Sequence, residues 1–342
     1  MSSSSSPRPS TTHDVARLAG VSQATVSLVL GGNPRARVAA ATRERVIRAA
    51  EELGYRPNIV ARGLVRGRSY ALGVIVPDLA NPFFLEVVRG IERVASTAGY
   101  AVLLCDARET TPARHLEALR ARLIDGVIVD PLGVEGLPAD SLTDLNLVVV
   151  DQPSERWPGV ASDAEGAGRL AAEHLLALGH REVAMVGPAT DVHSFRMRER
   201  GFTRALRAAG VALPSGWLRR APATVAGGEA AMRALLPRRG SRPTAVFCTS
   251  DLLALGALKA CATAGVAVPG AMSVVGCDDI EMARVVTPEL TTVAVPAREL
   301  GARAARLLLR QLDGRGGETR PGRVLPVRLV PRGTTAPPPT DP

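Results

Sequence analysis

The chain has 342 residues, 46% hydrophobic and 22% charged, the composition of a folded soluble protein with room for two or three domains and a large core. Its formal net charge is +9, and +7 of that lies in residues 1–68, where eleven arginines face only Asp14, Glu44, Glu51 and Glu52. A basic segment on a near-neutral body is the footprint of a polyanion-binding protein, with nucleic acid ahead of an acidic membrane surface.

No apolar run reaches the length needed to cross a bilayer. The opening MSSSSSPRPS has no apolar segment of the secretory kind, and residues 1–11 read as a disordered tail. Cys105, Cys248, Cys261 and Cys277 are scattered without metal or redox spacing, so they read as reduced thiols of a cytoplasmic protein.

The first folded stretch is HDVARLAGVSQATVSLVL, residues His13 to Leu30. Thr12 is predicted to cap a helix over Asp14 to Ala19, which Gly20 ends, and Ser22 to cap a second helix running through Leu30. A third, TRERVIRAAEELG, takes Thr42 as cap and places Val46, Ala49, Ala50 and Leu53 on one face. With Val15, Leu18, Val26 and Val29 turned to face one another, three helices too short to persist alone share one small core. That is a helix-turn-helix, and it leaves Gln23, Ala24, Ser27 and Leu28 outward on the second helix. Glutamine can pair two-pronged with adenine, serine bonds either way, and Ala or Leu can touch a thymine methyl. Arg17, Arg35, Arg37, Arg43 and Arg45 are then placed for phosphates. Such modules also occur as plain packing units; the charge segregation favours DNA.

From Ala71 the pattern alternates. ALGVIVPD, YAVLLCD, DGVIVDP, LVVVDQP, EVAMVGP, TAVFCTSD and MSVVGCDD are unbroken β-branched runs separated by amphipathic helices, which means parallel strands buried on both faces. So many units exceed one sheet, and two doubly wound α/β lobes with a cleft between them are expected. Asp78, Asp106, Asp151, Asp251, Asp278 and Asp279 all stand where an apolar run stops. They are either helix caps or the lining of a polar small-molecule cleft at the carboxyl ends of the strands. The segment VLPVRLV adds a last strand, and the proline-rich residues 336–342 read as disordered.

The quoted headpiece, together with TRERVIRAAEELGYRPNIVARGL, LGVIVPDLANPFF, LGHREVAMVGP, SDLLALGAL and VVTPELTTVAVP, resembles the LacI/GalR family of bacterial transcriptional regulators. The similarity covers roughly residues 12 to 335. It implies an all-α helix-turn-helix headpiece over 12–57, a hinge helix over 58–69, and a periplasmic-binding-protein-like core over 70–335. Lobe 1 would take about 70–166 and 296–322, and lobe 2 about 167–295 and 323–333. It also implies phosphate contacts from Thr12, Ser22, Thr25 and Asn58, and minor-groove insertion at Leu64 beside the small Ala61.

For the effector, the resemblance implies contacts from Asn81, Phe83, Phe84, Asp151, Gln152, Arg198, Asp251 and Asp278. Carboxylates accept from hydroxyls, arginine donates a fork, and an aromatic ring covers an apolar face. Many members carry arginine or another polar residue where this chain has Leu28, so no operator sequence carries over. The small residues APATVAGG after Trp217 stand where some relatives use a pocket aromatic, and imply a roomier pocket there. The expected protein is a homodimeric repressor with two partners, a near-palindromic operator duplex and a small-molecule effector, a sugar ahead of a nucleoside. It needs no cofactor, no metal and no membrane.

Two alternatives share the core. A sugar-transport protein would not carry the basic headpiece. An enzyme would be expected to show a G-x-G-x-x-G, a P-loop or a G-x-S-x-G elbow, and none is present. His13, His115, His174, His180 and His193 have no metal-ligand pairing, and His174 and His180 read as helix-flanking residues.

Overall fold

The computed structural model describes residues 10–30, 38–55, 68–108, 112–121, 124–130, 145–152, 157–236, 242–314 and 324–339. The chain divides into two compact units, Met1–Tyr70 and Ala71–Pro342.

In the first unit, α1 (Thr12–Ala19), α2 (Gln23–Leu30) and α3 (Ala40–Glu52) enclose Val15, Ala16, Ala19, Val26, Val29, Val46, Ala49 and Ala50. The cap of α1 is Thr11, not Thr12. Its hydroxyl accepts from the Asp14 backbone N–H at 3.3 Å, while Asp14 Oδ2 accepts from the Thr11 N–H at 2.9 Å. This reciprocal box satisfies two of the donors that a helix start leaves orphaned. Thr12, one residue inside, instead shares a 2.7 Å hydrogen bond with the Tyr55 hydroxyl. Gly20 ends α1 at φ 64, a conformation in which a Cβ would be strained.

Ser22 caps α2, accepting from Thr25 N at 3.1 Å. Thr42 caps nothing, because α3 begins two residues earlier at Ala40 and the Thr42 N–H already bonds the Ala39 carbonyl. Leu18 is 47% exposed rather than part of the core; Ala16 and Ala19 fill its expected place.

The second unit holds two sheets. Strands β1 (Ala71–Val76), β2 (Ala101–Asp106), β3 (Gly126–Val129), β4 (Leu147–Val150) and β5 (Gly159–Val160) run parallel in the order β2-β1-β3-β4-β5. Helices α4 (Pro82–Thr97) and α5 (Pro112–Ala121) belong to this lobe. The second lobe orders its strands β11-β10-β9-β8-β6-β7, from β6 (Val183–Pro188), β7 (Leu218–Ala221), β8 (Ala245–Cys248), β9 (Ser273–Asp278), β10 (Thr291–Ala294) and β11 (Arg328–Val330). Its helices are α6 (Ala164–Ala177), α7 (His193–Ala208), α8 (Val225–Leu235), α9 (Asp251–Thr263) and α10 (Met282–Val285). Helix α11 (Ala297–Leu312) returns to pack on α4.

Among the described residues, 161–163, 295–296 and 324–327 run between elements of the two lobes. Leu325 is pinned beside Ser162, donating to the Ala161 carbonyl at 2.8 Å and accepting from Asp163 N at 2.9 Å. The short strands β5, β7 and β10 do not stand out as apolar runs, and β11 is antiparallel to β10. The chain is also ordered beyond Thr335. Buried His180 shares hydrogen bonds with Thr244 Oγ1 at 2.9 Å and Ser273 Oγ at 3.0 Å, and its Nε2 meets the Ala336 carbonyl at 2.9 Å. At Ala336 the expected disorder does not hold, since its carbonyl and N–H bond His180 and Ser273 despite the proline-rich composition.

Helices of each lobe cross in pairs through reciprocal glycines. A Cβ on Gly90 of α4 would lie 2.1 Å from the Arg298 carbonyl oxygen, and one on Gly301 of α11 1.9 Å from that of Val87. Gly168 of α6 and Gly201 of α7 repeat this at 1.8 and 1.9 Å, against Arg198 and Glu165. Gly228 of α8 and Gly256 of α9 do so at 2.2 and 2.1 Å, against Leu253 and Val225. Each glycine costs its helix about 1 kcal/mol relative to alanine, so on propensity alone Gly201→Ala would stabilise. The contact decides otherwise, since ordinary separation is roughly 3.5 Å. Gly201→Ala is expected to destabilise the protein by about 3 kcal/mol through overpacking, read as a lower urea midpoint at unchanged slope.

Candidate functional site

Two groups of side chains stand out. On the first unit, α2 presents Gln23, Ala24, Ser27 and Leu28 to solvent, with Leu28 43% exposed, while Val26 and Val29 face inward. Thr25 is half-buried and shares a 2.9 Å bond with Ser22. Arg17 is exposed and ion-paired with Asp14 at 3.4 Å, and Arg43 sits half-buried in the first turn of α3. Arg35, Arg37, Asn58, Ala61 and Leu64 lie outside the described residues.

The second group lies where the two lobes meet at the carboxyl ends of their strands. Arg198 projects from α7, backed by the Gly168 contact, and its side chain is 3% exposed. Its Nη1 pairs with Asp278 Oδ1 at 3.0 Å and donates to the Thr249 carbonyl at 2.5 Å. The guanidinium lies 5.4 Å from the Phe195 ring centroid. Its Nε and the Thr249 hydroxyl are buried without a hydrogen-bond partner. From the first lobe, Asp151 closes the group: its carboxylate accepts from Ser162 Oγ at 3.3 Å and from the Ser194 hydroxyl of the other lobe.

Backbone strain marks the same place. Asp151, Asp278 and Asp279 have φ of 65, 129 and 58°, in the region that side chains other than glycine rarely adopt. The turn after β9 is held from behind. Asp251 accepts from Ile280 N at 2.9 Å and from Thr292 Oγ1 at 2.6 Å, and Asp279 pairs with Arg332 at 2.5 Å and Arg284 at 3.2 Å.

Asp251 therefore does not reach the cleft as expected from the resemblance. It is fully buried, with both oxygens engaged in fixing the turn that carries Asp278. Asp78 and Asp106 are also turn-forming, accepting from Ala80 N, and from Leu79 N and Arg108 N respectively. None of the six strand-end aspartates is a helix cap; Asn81, Asp163 and Ser250 take that role. Asn81 Oδ1 accepts from Phe83 N at 3.1 Å. Phe83 is buried, edge-on to half-buried Phe84 at 5.3 Å, and Gln152 follows Asp151 half-buried. Phe83 and Asp278 line one cavity of about 860 Å³ together with Glu86, Arg284 and Arg298. The residues missed in the sequence are Ser194, Phe195, Thr249 and Arg332. Ser194 was within reach of it, standing one helical turn before Arg198.

One guanidinium thus faces Asp278 and Asp151, with Asp251 behind the turn, and burial raises all three aspartates above the ordinary carboxylate range. Burial pushes Asp278 up to about 7, with Arg198 opposing and Asp251 adding to it. Asp251 is pushed to about 6, chiefly by burial, against the hydrogen bonds from Thr292 and Ile280.

Such a cluster can hold a polyhydroxylated ligand: carboxylates accept from hydroxyls while Nε and the Thr249 hydroxyl remain to be satisfied. Among the described residues no cluster of His, Cys, Asp or Glu could hold a metal ion, and no helix is long and apolar enough to cross a membrane.

Comparison with known proteins agrees with this division. Residues 11–58 match the bacterial regulatory proteins, lacI family, and 172–335 the periplasmic binding protein-like domain. The ribose operon repressor of Halalkalibacterium halodurans is 37% identical over 332 residues, covering 95% of this chain and 97% of that one. The chain belongs to the LacI family. This LacI-family regulator also shares its fold with the lac repressor dimer bound to operator and the anti-inducer ONPF. There the TM-score is 0.82 at 30% identity, over 96% of this chain and all of that one. A LacI family transcriptional regulator from Enterococcus faecium with bound ribose superposes at TM-score 0.70 and 32% identity, over 78% and 99% of the two chains. Membership makes the chain a DNA-binding transcriptional repressor with an effector-binding core, and not an enzyme.

Because the folded pKa of Asp278 lies above its unfolded value of 3.8, the folded chain holds a proton that the unfolded chain has lost between there and about 7. The stabilisation is complete below that window and is lost as pH rises through it. The urea stability of the protein relative to Asp278→Asn is expected to fall between about pH 4 and about pH 7 and then level off. A difference that stayed constant or grew would contradict the burial assignment.

Proposed function

We propose that the protein is a homodimeric repressor of a near-palindromic operator whose affinity for DNA is set by a ribose-class sugar held between the two lobes. The observation that carries the sugar reading is the buried Arg198, paired with Asp278, faced by Asp151 and left with an unpartnered Nε. A hydroxyl-rich ring without charge suits it, because the one cation is already paired with Asp278, and the flanking carboxyl groups can exchange hydrogen bonds with hydroxyls. The ribose in a relative's name and in a neighbour's bound state gives the class, and the lac repressor dimer on its operator gives the assembly.

In this reading Asp151, Gln152, Arg198 and Asp278 hold the sugar, Phe83 or Phe84 covers its apolar face, and Asn81 contributes its free amide nitrogen. On the DNA side, Gln23, Ala24, Ser27 and Leu28 read bases, with Leu28 against a thymine methyl. Thr12, Arg17, Ser22, Thr25, Arg35, Arg37, Arg43 and Asn58 anchor phosphates, and Leu64, beside Ala61, inserts into the minor groove. The sugar and the operator bias one equilibrium, so each changes the other's affinity by the same factor.

Ribose at about one hundred times its dissociation constant is expected to add about 2.7 kcal/mol to stability. A thermal-shift series of ribose, other pentoses, hexoses and nucleosides checks this. Loss of the ribose response in both Arg198→Gln and Asp278→Asn, with both variants folded by circular dichroism, supports the site. A ribose response indifferent to both places the ligand elsewhere, and a response confined to nucleosides replaces the ligand class. Binding to an operator selected from a randomised duplex pool should weaken about a thousandfold between 50 and 200 mM salt if roughly six phosphates are neutralised. Leu28→Ala should lower the preference for thymine at one position in each half-site.

A further inference from the structure

Gln23, the first residue of α2, does not stand alone. Its Nε2 lies 3.1 Å from His13 Nδ1 on α1, and both side chains are exposed. An amide nitrogen can only donate, so His13 Nδ1 accepts and the ring is neutral, with its proton on Nε2. One of the two amide hydrogens is then spent on His13, while the other and Oε1 remain. That remaining pair is the donor–acceptor edge that adenine N7 and N6 require. Helix α2 itself, QATVSLVL, carries no charged group beside Gln23.

We propose that His13 is a specificity-setting residue, which fixes the amide orientation of Gln23 and makes operator base preference depend on pH. This rests on the base-reading role given to Gln23 above. When His13 is protonated, both ring nitrogens become donors, and of the two Gln23 amide atoms only Oε1 can accept from Nδ1–H. The amide turns over, Oε1 is withdrawn toward α1, and two N–H groups face outward. Those suit the paired acceptors of guanine, N7 and O6, and no longer match adenine.

The groups around the His13 ring come from α1 and α3. On its own helix the charged neighbours are Asp14, which is held by Thr11 and Arg17, and Arg17 itself. Helix α3 meets α1 through the apolar face of Val15, Ala16 and Ala19; its end brings Tyr55, bonded to Thr12.

The test is selection from a randomised duplex library with the full chain at about pH 8 and about pH 5.5, either side of the ordinary histidine range. Affinities are then measured for duplexes that carry adenine or guanine at the position Gln23 reads. Comparing the two duplexes cancels the general gain in affinity from a protonated histidine. Adenine should be preferred roughly tenfold at the higher pH, falling to about twofold or reversing at the lower. His13→Ala should weaken the preference at both values. His13→Asn, whose Oδ1 accepts without titrating, should keep the adenine preference at both.

If Gln23→Ala alters no position of the selected sequence, the base-reading role fails and this inference falls with it. If Gln23→Ala does alter one position, but the preference there is the same at both pH values and in His13→Ala, only the role of His13 is overturned.

Discussion

Arg198 carries a full charge into an interior where an unmatched ion costs several kcal/mol, and the cleft is organised around meeting that demand. Asp278 supplies the opposite charge and the Thr249 carbonyl a second acceptor, yet both come from strand ends that must be aimed at the helix. Asp251 and Arg332 do the aiming. They hold the Asp278–Ile280 turn in a conformation that isolated residues avoid, and neither reaches toward the cleft. The strain is tolerated because the surrounding bonds over-determine it. The result is a preorganised set of donors and acceptors with some capacity unused.

The helix that carries Arg198 is fixed with the same stringency. Gly168 and Gly201 bring α6 and α7 so close that a Cβ on either glycine would meet the other helix's backbone. The reciprocal pairs between α4 and α11, and between α8 and α9, do the same for the rest of the core. Close packing of this kind makes each lobe respond as a unit, because densely packed interiors shift between discrete arrangements rather than deform smoothly. Motion is then left to the segments that run between elements of the two lobes, two of which are tied to each other through Leu325 and Ser162. Asp151, on one lobe, bonded to Ser194 on the other, is a contact that such a motion must make or break.

The fold was legible in the sequence where physics leaves a periodic trace. Buried parallel strands appear as unbroken β-branched runs, and β1, β3, β4, β6, β8 and β9 were all found that way. Strands β5, β7 and β10 were not, being short and, in β10, built on two buried threonines whose partners come from far along the chain. Arg198, Asp151 and Asp278 were identified from the family resemblance and meet in space. Asp251 was misjudged for a physical reason: an aspartate at a strand end looks the same in sequence whether it faces a ligand or a backbone N–H. Thr11 and Thr12 show the same limit on a smaller scale. Either can cap a helix, and the choice is made by Tyr55, forty-three residues away from Thr12.

In the headpiece the limit has a functional consequence. Helices of eight residues are unstable alone, so α1 and α2 exist only through the core they share with α3. Whatever faces outward from α2 is therefore set by its register against α1. A glutamine on an isolated helix would sample both amide orientations and so tolerate donors and acceptors alike on the opposing base. Packing α1 beside it at this register brings His13 within hydrogen-bonding reach and removes half of that freedom. Side chains that never touch the inward-facing core are thus ordered by it.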